Sequence, residues 1–351
     1  MKKAVALLLC VLIVFQLSAC VNDGNGDKLK DYTVNLTAMN TVMKITVFSA
    51  SNGDIEGVAN LMTERVSEIE SLFSANLTGS DVNLLNMPVT EQTVSDETAE
   101  ILNISKFASE TTDGAFDITV MPVLKLWGFN DGRYGVAADE DIKAFLSFVN
   151  YKDVSVNGNT VTKSMNTQVS LGGIAKGYLG DELLKIAKSY GAVALLSLGG
   201  NIVLCGNKAD SEKWKVGIQN PEDAETLACS FECDGGKSVV TSGAYERYFE
   251  YGGKKYHHII DPKTGYPAES DLTSVTVIGE NGTLCDAYST ALFVMGKEKS
   301  VEFAKEHNEF EFVFISKDGK IFATDGVENI KTENNGLKIV RSSDEFRNDA
   351  V

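Results

Sequence analysis

Apolar and polar positions alternate in some stretches of the chain and recur at helix spacing in others. Thr41 to Phe48 alternates, the period of a strand with one buried face. Ile55 to Phe73 then places Ile55, Val58, Leu61, Met62, Val66, Ile69 and Leu72 at helix spacing with acidic residues between them, which predicts an amphipathic helix on a core. Ser74 to Asn86 is a polar stretch with repeated Asn and Ser, and reads as a loop. Ser95 to Thr111 predicts a second helix, with the Ser95 hydroxyl placed to cap it. Asp113-Gly114-Ala115-Phe116-Asp117 follows, where an aromatic beside a carboxylate after a glycine turn fits either a pocket wall or a strand start. A hairpin centred on Asn157-Gly158 is predicted within Tyr151 to Val169. Leu171-Gly172-Gly173-Ile174-Ala175-Lys176-Gly177 opens a helix that runs to Tyr190, and Ala192 to Leu198 is the strand that leads to Gly199-Gly200-Asn201. Strands and helices interleave irregularly and hairpin signals recur, so the predicted fold class is α+β: one domain with mixed or antiparallel sheets flanked by helices.

Three groups of chemistry-bearing residues crowd into Val240 to Gly296. Thr241-Ser242-Gly243-Ala244-Tyr245-Glu246-Arg247, after the apolar pair Val239-Val240, predicts a strand ending in a loop whose N–H groups face a ligand. His257-His258-Ile259-Ile260-Asp261-Pro262-Lys263-Thr264-Gly265 holds two of the three histidines in a predicted tight turn. Asp286 and Thr290 fall one helical turn apart, and a carboxylate and hydroxyl so stacked suit a hard cation such as Mg²⁺, although such an Asp is also a common helix cap. Glycines before a helix with Lys176 in its first turn suit a phosphate, although neither a P-loop nor a dinucleotide-binding fingerprint is present.

Composition narrows the partners. With 43% hydrophobic residues in 351, the chain can bury a full core. A net charge of −17 argues against nucleic acid, and requires that any anionic ligand be held by a local device such as a cation or backbone N–H groups. Lys2-Lys3, the apolar run Ala4 to Leu17 and Leu17-Ser18-Ala19-Cys20 make an export leader too short to span a bilayer convincingly. Residues 1–19 are read as signal, 20–31 as anchor and polar tether, and 32–351 as the domain. Beyond Cys10 and Cys20, the cysteines Cys205, Cys229, Cys233 and Cys285 show no zinc spacing and read as free thiols.

Taken in order, these segments resemble the ApbE family of flavin transferases. The likeness runs through Met39-Asn40-Thr41, the Ser74, Asn76, Ser80, Asn86 loop, Gly114 to Asp117, Trp127 to Phe129 and Leu171 to Gly177. It continues through Thr241-Ser242-Gly243, His258 to Gly265 and Asp286 to Ala291. The resemblance implies an ApbE-like domain that takes FAD, uses Mg²⁺ and joins FMN by a phosphoester to a Ser or Thr of an acceptor flavoprotein, releasing AMP. It implies FAD contacts at Met39, Asn76, Ala115, Phe116, Asp117, Lys176 and Ile260, and a metal held by the Gly173 carbonyl, Asp286 and Thr290. Leu-Ser-Ala-Cys resembles the lipobox of bacterial lipoproteins, which implies a lipid on Cys20 and a domain on the extracytoplasmic face of the membrane. His258 is the candidate general base, with Asp261 to orient it. Two positions depart from the family pattern: Ser170 stands where many members have Asp, and Asn76 where many have Tyr. The second opens an alternative, FAD hydrolysis to FMN and AMP; a third reading is a lipoprotein that binds flavin without chemistry.

Overall fold

The computed structural model describes residues 31–208, 212–332 and 336–345; the signal, Cys20 and nearly all of the tether lie outside them. Strands β1 (Tyr32–Ala38) and β2 (Thr41–Ser49) form a hairpin across Met39-Asn40, whose φ angles of 49° and 60° give the twist that a two-residue turn needs. Helix α1 (Ile55–Phe73) is capped by Asp54 and buries Val58, Met62, Val66, Ile69 and Phe73. Leu61, predicted on that stripe, is exposed because it lies about 100° around the helix from Met62. The predicted polar loop contains a short helix, α2 (Asp81–Leu85), because Ser80 caps it and Val82 and Leu85 find the core. After β3 (Glu91–Thr93), α3 (Asp96–Thr111) starts at the Ser95 cap as the pattern predicted. Asp117 begins a 3-10 turn rather than a strand, and α4 (Met121–Leu126) and α5 (Asp139–Leu146) follow. The Asn157-Gly158 hairpin is real but short, formed by β4 (Ser155–Asn157) and β5 (Thr160–Thr162), with β3 completing a small sheet.

The second half builds the main sheet. Its elements are α6 (Ala175–Ser189), β6 (Val193–Ser197), β7 (Asn201–Cys205), β8 (Trp214–Asn220), β9 (Asp223–Cys233), β10 (Lys237–Gly243), β11 (Tyr248–Tyr251) and β12 (Lys254–His257). After these come β13 (Leu272–Gly279), α7 (Gly282–Met295), α8 (Lys297–Glu306), β14 (Glu311–Ser316), β15 (Lys320–Ala323), β16 (Glu328–Thr332), β17 (Lys338–Arg341) and α9 (Ser342–Glu345). Nine strands pair in the order β1-β2-β6-β7-β10-β13-β14-β15-β17, antiparallel except for the last pair.

Strand periodicity sorts side chains onto two faces. Val203, Val240, Val277 and Phe314 enter a core shared with α1, α6 and α7, whereas Ile202, Val239, Ile278 and Ile315 point to the other face. There they meet Trp214, Val216, Ile218 and Phe231 from a three-stranded sheet of β16, β9 and β8. The domain is therefore layered, helices on the large sheet and the large sheet on the small one. Cys205, Cys229, Cys233 and Cys285 are all buried free thiols. A separate apolar cluster of Val123, Trp127, Phe129, Ile142 and Ile260 joins α4 and α5 to the histidine loop. No helix among the described residues is long and apolar enough to cross a membrane.

Candidate functional site

Helices α6 and α7 touch at glycine. A Cβ on Gly177 would lie 2.2 Å from the Gly282 carbonyl oxygen and 2.7 Å from Asp286 Cβ, so only glycine permits this approach. Closeness lets the Gly177 N–H donate to Asp286 Oδ2 at 2.8 Å. Asp286 is 2% exposed, and its Oδ1 takes no hydrogen bond from the described residues. One turn on, the Thr290 hydroxyl lies 3.4 Å from Ser242 Oγ, which also bonds Ser289 Oγ at 2.8 Å. Gly173 completes the group: a Cβ there would sit 3.3 Å from both Thr290 Oγ1 and Phe116 Cε2. The structure thus brings Gly173, Asp286, Thr290 and Phe116 together, with Ser242 beside them.

The donor set fits a hard cation. A buried carboxylate with an unclaimed oxygen, beside hydroxyls and the backbone of Gly173, offers oxygen ligands alone. Among the described residues no group of three or more His, Cys, Asp or Glu gathers, so the softer ligation of zinc has no counterpart. Lys176, in the first turn of α6, keeps its backbone N–H without an intramolecular acceptor among the described residues, whereas Gly177 has spent its own on Asp286. Gly172, Ile174 and Ala175 also spend their N–H groups internally, so the phosphate-binding device read from the glycine loop is narrower than predicted: the Gly173 and Lys176 N–H groups and one ammonium.

Strand β10 runs further than predicted. Thr241, Ser242 and Gly243 pair with Thr276, Val275 and Ser274 of β13, so they form no loop, and it is the Ser242 hydroxyl that reaches the site. The loop begins at Ala244 and carries Glu246 and Arg247, to which sequence reasoning gave no role. The Glu246 carboxylate lies beside Gly200, where a Cβ would be 3.3 Å from Oε1; burial pushes its pKa up to about 7, opposed by Lys176 and reinforced by Asp286. Arg247 donates to the Phe129 carbonyl at 2.8 Å. Their adjacency after Thr-Ser-Gly was the available signal, because an acid and a base at a strand end rarely lack partners.

The histidine loop is the tight turn expected. Asp261 accepts from Lys263 N–H at 2.8 Å and from the Thr264 hydroxyl at 3.1 Å, and Trp127 Nε1 donates to the Gly265 carbonyl at 2.9 Å. Asp261 therefore does not orient His258, a correction, since its carboxylate is consumed inside its own turn. His258 Nδ1 lies 3.2 Å from the Arg247 carbonyl instead, which makes Nδ1 the protonated nitrogen and leaves Nε2 with its lone pair. Burial, then the Arg247 charge, pushes the half-buried ring down to about 3, so it is neutral at neutral pH. His257 turns inward, against Phe293 of α7, and donates to the Ala268 carbonyl.

The remaining expected flavin contacts occupy varied settings. Asp117 spends its carboxylate on Thr119 and the Tyr151 N–H, so it offers a ligand its backbone. Ala115 and Ile260 are buried in two different cores. Met39 is half-buried in the hairpin turn and its N–H donates to Glu70 at 2.7 Å; the next residue but one, Thr41, abuts Gly199. Asn76 is exposed and exchanges hydrogen bonds with Asn130 at 3.1 and 3.3 Å, one residue from the Phe129 carbonyl that Arg247 grips. Ser170 accepts from the Gly172 N–H at 3.4 Å, so it shapes the glycine loop.

Sequence and fold are similar to those of known proteins. The ApbE family model matches residues 39–314. A Klebsiella pneumoniae (strain 342) protein named FAD:protein FMN transferase is 33% identical over 273 residues, covering 76% of this chain and 84% of that one. One of the same name from Treponema pallidum (strain Nichols) is 30% identical over 347 residues, 92% of this chain and 93% of its own. The crystal structure of the ApbE protein from Thermotoga maritima aligns with a TM-score of 0.78 at 33% identity, over 83% of this chain and 96% of that one. The apo form of the Pseudomonas stutzeri flavinyl transferase ApbE aligns at 0.73 with 30% identity, over 83% and 92%. With the family model matched over most of the chain, and relatives and solved structures alike in sequence and fold, the chain belongs to the ApbE family.

Proposed function

We propose that this chain is a Mg²⁺-dependent FAD:protein FMN transferase of the extracytoplasmic membrane face. What carries the reading is the Asp286 carboxylate, buried with one oxygen unclaimed beside the Thr290 and Ser242 hydroxyls, in a chain whose relatives bear that name. Asp286, Thr290 and the Gly173 carbonyl would hold the cation, which supplies neutralisation of the diphosphate and polarisation of its phosphorus, worth several kcal/mol. Lys176 brings its ammonium and its free N–H to the same diphosphate. Phe116 walls the cation site, and Met39, Asn76, Ala115, Asp117 and Ile260 contact the rest of FAD. The acceptor Ser or Thr oxygen bonds to the flavin-side phosphorus as the bond to AMP breaks. The hydroxyl proton passes to His258 Nε2, whose affinity for it rises once the negative diphosphate is bound. A lipid on Cys20 holds the domain to the membrane, and residues to 31 serve as tether; this part rests on the sequence pattern.

Two measurements test the proposal: AMP released from FAD with and without Mg²⁺, and flavin fluorescence that stays on an acceptor protein after denaturation. AMP release together with bound fluorescence is the expected result. AMP without bound fluorescence would make the chain an FAD pyrophosphatase, a reading that the small, exposed Asn76 favours. FAD binding without AMP would leave only a carrier.

A further inference from the structure

Asp181 makes no hydrogen bond to Asp286 or Thr290, yet it joins the two helices that carry the site. It lies one turn after Gly177 on α6, and its carboxylate reaches across to the start of α7. Oδ1 accepts the Gly282 N–H at 2.7 Å; Oδ2 accepts the Thr283 N–H at 2.8 Å and the Thr283 hydroxyl at 2.6 Å. Two of the donors that a helix start leaves without partners are thus satisfied by a neighbouring helix, and the third, Leu284 N–H, by α7's own cap Asn281 at 2.9 Å. Gly282 has no room to move. A Cβ there would meet Ser238 Oγ of β10 at 2.5 Å, Asp181 Oδ1 at 2.7 Å and the Gly177 carbonyl at 3.1 Å.

A helix held at one turn is held throughout, because its backbone bonds make it a rigid rod over a few turns. Asp286 follows Gly282 by one turn and Thr290 by two, whereas Gly173 and Lys176 belong to the loop and first turn of α6. The halves of the cation site therefore sit on two helices whose register is set by Asp181 and the glycine contact. We propose that Asp181 is a positioning residue for the cation site: its three bonds to α7 hold Asp286 and Thr290 at ligand distance from the Gly173 loop. A cap within α7, such as Asn281, satisfies that helix without referring it to α6, and so lacks this effect.

The inference rests on the cation reading of Asp286, and its test separates the two. Mn²⁺ binding to the FAD-free and FAD-loaded full chain is followed by loss of the free-ion electron paramagnetic resonance signal, at a temperature where circular dichroism shows every variant folded. Asp181→Asn, which replaces an acceptor by a donor facing N–H groups, is expected to weaken Mn²⁺ binding at least tenfold. Asn281→Ala is expected to lower the melting point yet leave affinity within twofold. Wild-type affinity in Asp181→Asn, or an equal loss in Asn281→Ala, overturns the positioning role while the cation reading stands. A wild-type chain that takes no Mn²⁺ in either state overturns both. Should Asp181→Asn fail to fold, Thr283→Val removes one of the three bonds and is expected to shift affinity in the same direction by severalfold; no shift then overturns the proposal.

Discussion

At Asp286 a single carboxylate serves two masters, the Gly177 N–H and the proposed cation. Asp286→Ala removes the only charged ligand of the set, so Mg²⁺-dependent AMP release is expected to fall by orders of magnitude while the far-ultraviolet circular dichroism is retained. Near-normal activity at limiting Mg²⁺ contradicts the assignment. For Asn76, a tyrosine ring would stand where an exposed amide now pairs with Asn130. Transfer requires water to be kept from the line of attack. Asn76→Tyr is therefore expected to lower free FMN relative to protein-bound FMN with an acceptor in excess, and an unchanged ratio shows that this position does not choose between water and protein. His258 gives a pH test. Its folded pKa of about 3 lies below the ordinary value of about 6.5, so its neutral form contributes stability that is full above 6.5 and lost as pH falls towards 3. Urea unfolding at pH 7 and 4.5 is expected to show a larger acid loss in wild type than in His258→Gln; equal losses would mean that the ring is not held neutral.

Secondary elements were legible where local chemistry dictates them. The Ser95 cap and the Asn157-Gly158 turn carry their own instructions, and so does the Asp286/Thr290 spacing, since all act within a few residues. What escaped was decided by distant partners. Thr241 to Gly243 are strand because β13 lies beside them, and Asp181 has no local motif because the donors it caps are a hundred residues away in sequence. Asp261 looked poised to orient His258, but its own turn offered nearer donors. The α6 to α7 contact belongs to this long-range class and is directly testable. Gly177→Ala places a methyl against backbone, where neither helix can yield cheaply. A loss of about 1–3 kcal/mol is expected, read from chemical denaturation, and one below about 0.5 kcal/mol would show that the helices part freely.

The whole molecule is a tethered domain in the proposed reading, and the anchor has its own check. Cys20→Ser is expected to abolish incorporation of labelled fatty acid and release the chain from the membrane fraction; equal labelling of both forms would misplace the anchor. The nine-stranded sheet has a further consequence. Its first strand, β1, and its last, β17, form opposite edges, separated by eight spacings of about 4.8 Å, or roughly 38 Å before twist. A circular permutant that joins Arg341 back to Tyr32 would have to cross that width, and at about 3.4 Å per extended residue it needs a linker of at least a dozen residues. A reporter fused after β17 would likewise stand on the edge of the sheet opposite to β1.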